Sequence, residues 1–188
     1  MKTAHSEKEL VTIGRRAKRL MIWNCQGLRD LSSLPNTVNV LSLDDCRDLA
    51  RVEPIPPKLI KLIIHDCWKV TELRLIRSQL LRVEVWSCPS IRELNSLPLS
   101  LSSLRLRDCP RLSDISGLPQ TLTKLRIRDC PKIEELPKLR YLRSLRLDRP
   151  LMTNGVWVKN YREYVAAWES EKPPRPNIPV TRTSRFTL

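Results

Sequence analysis

Aliphatic residues recur along this chain at fixed offsets from six cysteines, Cys25, Cys46, Cys67, Cys88, Cys109 and Cys130, which stand 21 residues apart. Five residues before each cysteine come Leu20, Leu41, Leu62, Val83, Leu104 and Leu125, and three before it Ile22, Leu43, Ile64, Val85, Leu106 and Ile127. Positions +3, +6 and +9 are aliphatic in every repeat as well. Alternation with a period of two predicts a short strand that turns positions −5 and −3 inward and −6, −4 and −2 outward. Position +10 is proline in four of six repeats (Pro35, Pro56, Pro98, Pro119), which predicts an extended, helix-averse turn on the outer arc.

The phase extends in both directions. Leu10, Ile13 and Ala17 fall where a preceding coil would place its +6, +9 and +13 residues, so a truncated first coil is expected. After Leu136 one residue of spacing is lost, yet Leu145 and Leu147 still supply a further strand, and Pro150 then takes the array out of register. Stacked about 4.8 Å apart, about seven such strands give a parallel sheet roughly 30 Å long in which no coil is stable alone.

The pattern LxLxxCxxL on this period resembles the leucine-rich-repeat family, with cysteine at its Asn/Cys position, over roughly residues 10–149. The run LPLSLSSLRLRDCPRLSDISGLPQTLTKLRIRDCPKIEELP is similar to the C-terminal repeats of plant intracellular immune receptors and to the short, proline-marked repeats of bacterial effectors. Neither the receptors' nucleotide-binding domain nor a ligase domain is found in this sequence. The resemblance implies an α/β-type, mainly β, horseshoe-shaped solenoid with one parallel sheet on its concave face and a non-helical convex arc. It also implies that the cysteine ladder bonds the backbone of the turn leaving each strand, weakly for a thiol. The expected organisation is an N-terminal segment with the truncated repeat (1–19), the solenoid (20–149), a C-terminal capping helix (150–171) and an extended basic arm (172–188).

Composition narrows the chemistry. Thirty-four Lys and Arg against 20 Asp and Glu give a formal net charge of +14, which favours acidic proteins, phosphates or anionic surfaces as partners. Only 4 glycines are present, and no phosphate-cradling GxGxxG or GxxxxGK[ST] appears. No small-molecule substrate or cofactor is expected. The first twenty residues lack a continuous apolar stretch, so a signal peptide is not expected, and no segment is long enough to span a membrane. The cysteines form no CxxC pair, which argues against zinc, and side chains at one ladder position point in parallel, which argues against bridges. Six buried free thiols imply a reducing intracellular compartment, the cytoplasm, the nucleus or an organelle matrix. With His5 and His65 the only histidines, no nucleophile and base can be paired. Asp44, Asp45 and Asp48 cluster near one strand, but an open sheet cannot desolvate a carboxylate enough for acid catalysis. A catalytic role is not expected.

The outward positions carry the candidate binding residues. Trp23, His65 and Trp86 lie toward the N-terminal end, whereas Arg105, Arg107, Lys124, Arg126, Arg128 and Arg146 make the C-terminal end basic. Cross-strand like charges cost about 0.2–1 kcal/mol each. Either Asp108, Asp129, Glu134 and Glu135 neutralise the patch and leave a solvated face, or the cations dock an acidic protein surface or a polyanion. Three readings follow: a protein-binding scaffold, a ribonucleoprotein subunit contacting RNA, and an immune-receptor-like fragment or pathogen effector.

Beyond the turn signal Asn154-Gly155, the segment from Val156 to Lys172 spaces Trp157, Tyr161, Tyr164 or Val165, and Trp168 at helical intervals, so a helix capping the last coil is expected there. Four prolines between Lys172 and Pro179 then predict an extended arm, basic through Arg175, Arg182 and Arg185 and anchored by Phe186.

Overall fold

A computed structural model describes residues 2–6, 9–10, 17–94 and 96–169. The chain forms a mainly β solenoid whose strands make a nine-stranded sheet in sequence order. The strands are β1 (Lys2–Ser6), β2 (Arg19–Gln26), β3 (Val40–Asp44), β4 (Lys61–His65), β5 (Arg82–Trp86), β6 (Ser103–Arg107), β7 (Lys124–Arg128), β8 (Ser144–Thr153) and β9 (Val156–Asn160), followed by helix α1 (Tyr161–Glu169). Strands β2 to β8 are the seven that the repeat predicts, all parallel, and no described residue of the connecting arcs between them is helical.

Register follows the period. Leu20 pairs with Leu41, Leu41 with Leu62, and so on to Leu104 with Leu125, a step of 21 that shortens to 20 where Leu125 pairs with Leu145. Each coil therefore sets its −5 and −3 residues on those of the coil before, and all are buried except Leu147 of the last strand, which is partly so; positions +3 and +6 are buried throughout. Position +9 is less uniform, and Ile55 is only partly buried. In the third coil Leu75 is buried and Ile76, one residue later, is 64% exposed. In that coil the Leu75 amide donates to Ser96 of the next coil and the Leu75 carbonyl accepts from Ser78, so the chain turns one residue early. Where proline stands at +10 its carbonyl accepts from the amide three residues on, at 3.0 to 3.2 Å, closing a turn and not a helix.

A second device sits one residue before each cysteine. Asn24, Asp45, Asp66, Ser87, Asp108 and Asp129 all adopt the left-handed conformation, with φ between +49° and +52°. Asn and Asp visit this region more readily than other residues bearing a Cβ, because a short polar side chain can bond the nearby backbone. From β3 to β7 the kink ends the strand, whereas β2 runs on to Gln26, and in each coil the following cysteine enters the core. All six thiols are free and buried. Cys46, Cys88 and Cys109 approach the carbonyls of Ile22, Ile64 and Val85 in the preceding coil at 3.8, 3.9 and 3.9 Å, and they also lie within 3.6 Å of the carbonyl two residues earlier.

The two ends depart from expectation. At the N-terminus a full strand, β1, pairs with β2 through Lys2 with Leu20 and Ala4 with Ile22, a step of 18 that the 21-residue period hides. Leu10 and Ala17 are buried, while Ile13 lies outside the described residues. At the C-terminus β8 runs straight through Pro150, and Val156 to Asn160 form an antiparallel strand, not the start of a helix. Asn154 and Gly155, with φ of +47° and +72°, form the two-residue turn between them, as an Asn-Gly pair between apolar, β-prone residues favours. Trp157 is consequently 58% exposed.

The capping helix is therefore shorter than expected. Asn160 opens it by accepting from the Glu163 amide at 3.0 Å while Glu163 accepts from the Lys159 amide at 2.8 Å, a reciprocal cap. Tyr164 and Ala167 are buried against the last coil. The Tyr164 hydroxyl accepts from the Leu139 amide and donates to the Pro137 carbonyl, and the buried Thr153 hydroxyl donates to Leu136 and accepts from Trp168 Nε1. Burial pushes the Tyr164 phenol above its usual value. Arg149 donates to the carbonyls of Cys130, Pro131 and Ile133, groups that a further coil would otherwise satisfy. The segment beyond Glu169, with Arg175, Arg182, Arg185 and Phe186, lies outside the described residues. Among the described residues no helix is long and apolar enough to cross a membrane.

Two substitutions test this packing. Ser87→Val is expected to cost about 1–2 kcal/mol, because a β-branched residue resists the left-handed conformation, and to lower the melting temperature by about 2–4 °C per kcal/mol. Ser87→Gly should leave it level or slightly raised. Cys88→Asp buries an unpaired charge and is expected to cost about 3–5 kcal/mol in a denaturant titration; unchanged stability would place this side chain outside the core.

Candidate functional site

The sheet buries one face in the core and leaves the other open. On the open face three rows run across the strands, one for each outward position. The −2 row reads Trp23, Asp44, His65, Trp86, Arg107, Arg128 in register. The −4 row reads Met21, Ser42, Ile63, Glu84, Arg105, Arg126, Arg146, and the −6 row ends Ser103, Lys124, Ser144. Every residue singled out from the solenoid's outward positions thus lies on one face. The rows bring together Trp86 with Arg107, and Arg105 with Arg126 and Arg146.

The N-terminal end is aromatic and locally neutralised. Trp23 stacks edge-on against His5 of β1 with ring centroids 4.3 Å apart, and Trp86 meets His65 edge-on at 6.0 Å. His65 Nδ1 lies 2.8 Å from Asp44, and Nε2 lies 3.4 Å from Asp66. Asp44, His65 and Asp66 are the one group among the described residues whose ligand atoms gather as closely as a metal site needs, within 4.8 Å of one another. The two carboxylates face different ring nitrogens, so the imidazole bridges them. Their neighbours are also matched to cations: Arg47 contacts Asp45 at 2.7 Å, and Lys69 contacts Asp48 at 2.8 Å. The Lys69 ammonium, helped by the Gly27 amide, holds the Asp48 carboxyl below its usual range, the opposite of what a proton donor near neutrality requires.

Glu84 is the residue that sequence reasoning missed. It points to the open side yet is only 6% exposed, because Lys61 at 2.7 Å and Arg105 at 3.6 Å close over it from the strands on either side. Its position as a lone acid in the −4 row, between Ile63 and Arg105, was the available signal. The other expected counter-ions divide. Asp108 and Asp129 do pair with Arg107 and Arg128, at 3.6 and 3.1 Å, whereas Glu134 and Glu135 form no ion pair among the described residues. Neutralisation is therefore partial. Lys124, Arg126 and Arg146 have no ion-pair partner among the described residues.

Around these cations the face dips into a shallow depression of about 240 Å³ lined by Ser103, Arg105, Lys124, Arg126, Ser144 and Arg146. Larger clefts lie among the loops. The largest, of about 810 Å³, carries already matched charges, Arg74 with Glu72 at 3.0 Å and Arg51 with Asp30 at 3.6 Å.

The cysteines are poor candidates for chemistry. Burial pushes the Cys88 thiol from its ordinary 9.0 to about 11. Contact with the Cys46 and Cys130 thiols, together with burial, pushes Cys67 and Cys109 up as well. The same contacts hold Cys46 and Cys130 below their ordinary value, and burial closes these two to a reagent. Comparison of the chain with protein-family models, with curated proteins and with solved structures returned no match.

Ellman's reagent at pH 8 is expected to leave all six thiols of the folded protein unreacted within minutes and to titrate all six after denaturation. A folded-state value above the unfolded one means that the Cys88 contribution to stability is intact below about pH 9 and is lost as the pH climbs through about 11. Glu84→Ala should cost about 1–3 kcal/mol by leaving the half-buried Lys61 ammonium unpaired, read as a lowered denaturation midpoint.

Proposed function

We propose that this solenoid is a leucine-rich-repeat-type interaction module, acting by binding and not by catalysis, whose open face takes up a protein partner with an acidic surface. The observation that carries the reading is the in-register arrangement of the outward rows over β2 to β8, in which an aromatic end passes into a basic one. Tryptophans such as Trp23 and Trp86 are the kind of side chain that anchors protein interfaces. The cations at the other end would steer an acidic partner and fix its orientation. Curvature of the stack would make this face the concave one, as in the family that the repeat resembles.

A photo-crosslinking residue placed at Ser42 or Arg126 on the open face is expected to capture a protein partner that the same residue at Arg111, on the loop side, does not. Capture from Arg111 alone would overturn the reading. Given that partner, Trp86→Ala should weaken binding by about 2 kcal/mol or more, roughly thirtyfold.

The row Arg105, Arg126, Arg146 also favours a second reading, contact with RNA phosphates. In that case the logarithm of affinity would fall linearly with the logarithm of salt concentration, and reversing Arg105, Arg126 and Arg128 to Glu would flatten the slope. Undetectable RNA binding at low salt would exclude it.

A further inference from the structure

We infer that the depression around Arg126 is a phosphate subsite, one that receives a phosphorylated side chain of the acidic protein partner; the inference rests on the protein-binding reading above. Its basis is where charge is left over. Of the six cations at the basic end, Arg105, Arg107 and Arg128 have carboxylates within 3.6 Å, and Lys124, Arg126 and Arg146 have none among the described residues. These three come from two adjacent strands, β7 and β8, where Arg126 pairs in register with Arg146 and Lys124 with Ser144. Adjacent strands lie about 4.8 Å apart, so two neighbouring guanidinium forks can bond separate oxygens of one phosphate.

Hydroxyl donors complete the set. Ser103 and Ser144, both half-buried, flank Lys124 on either side in its row and line the same depression. A dianion at the centre would thus meet Arg126 and Arg146, with Lys124 and a serine hydroxyl beside it. It would also relieve the repulsion along Arg105, Arg126 and Arg146. A phosphorylated side chain supplies up to two charges and three acceptor oxygens in one group, which a single carboxylate does not.

The surroundings favour a phosphate on a protein over a polynucleotide backbone. Toward the N-terminal end the −4 and −2 rows turn acidic at Glu84 and Asp44, and Asp108, Asp129 and Asp148 line the margin beyond Arg107 and Arg128. Along the −4 row the unmatched positive charge is therefore confined to the neighbouring strands β7 and β8, about 5 Å apart, while Arg82 of the −6 row stands two strands from Lys124, beyond Ser103. A continuous chain of phosphates leaving that spot along the −4 row toward β5, or across the −2 row, would meet carboxylates. A peptide needs to bring only one phosphate, at the spot itself.

Fluorescence anisotropy on the full chain tests this with five probes: a short acidic peptide bearing one phosphoserine, the same peptide with serine, the same with glutamate, free pyrophosphate as competitor, and a single-stranded RNA. The phosphopeptide is expected to bind about tenfold or more tightly than the serine and glutamate forms, from one or more added charge-assisted hydrogen bonds. Arg126→Gln should abolish that difference, and Arg126→Lys, which keeps the charge but loses the fork, should restore only part of it. Both variants change an exposed side chain, and an unchanged circular dichroism melt confirms that they fold. Equal affinity for the three peptides would overturn the subsite while leaving the protein-binding reading standing. Pyrophosphate competing as tightly as the phosphopeptide would overturn the protein source of the phosphate. RNA binding more tightly than the phosphopeptide, with the same loss in Arg126→Gln, would overturn the protein partner in favour of nucleic acid.

Discussion

Everything in this molecule depends on coil-to-coil registration. A single coil offers a short strand and a few aliphatic residues, too little buried surface to offset the entropy of ordering it. Stacking removes the deficit, because each strand takes its backbone partners from the neighbours and each inward Leu, Ile or Val packs on its counterpart one period away. The period is enforced at two points per coil. From β3 to β7 the left-handed residue before the cysteine ends the strand, and the cysteine behind it fills the core while its sulfur lies against backbone carbonyls. A small apolar side chain with a weak donor suits that place, since it needs no partner that the interior cannot supply.

The same registration builds the open face. Side chains that are 21 residues apart in the chain become cross-strand neighbours, so each outward position is written out as a row and any bias in composition becomes a local field. Acids and aromatics in the early coils give one surface, arginines in the later coils another. The fold tolerates the arginine rows because carboxylates from the margin and from Glu84 neutralise part of them. What is left uncompensated is small and well located, a cost in stability that a bound anion would offset.

The solenoid's seven parallel strands, their inward residues and the outward rows were legible in the sequence because period and alternation are properties of the repeat itself. The ends were not. Strand β1 lies one coil before β2 with a step of 18, and its inward residue Ala4 is too small to mark a hydrophobic pattern. The hairpin of β8 and β9 was hidden because Trp157, Tyr161, Tyr164 and Trp168 satisfy helical spacing, although the Asn-Gly turn between β-prone residues pointed the other way. Ile76 shows the same limit inside the array, where the inward place shifts by one residue to Leu75. At the site, row membership could be read, but ion pairing could not. Whether Asp108 reaches Arg107, or Glu84 sinks between Lys61 and Arg105, depends on side-chain geometry that a repeat pattern does not encode.

The most direct test of the account is a nuclear Overhauser spectrum of the backbone across the basic rows. Cross-strand contacts of the parallel type should link Arg105 to Arg126 and Arg126 to Arg146 while Leu104 and Leu125 are linked alongside them. Contacts that instead join Arg126 to residues a fraction of a coil away, or helical contacts within the arcs, would contradict the registration from which the core, the thiol ladder and the rows of the open face all follow.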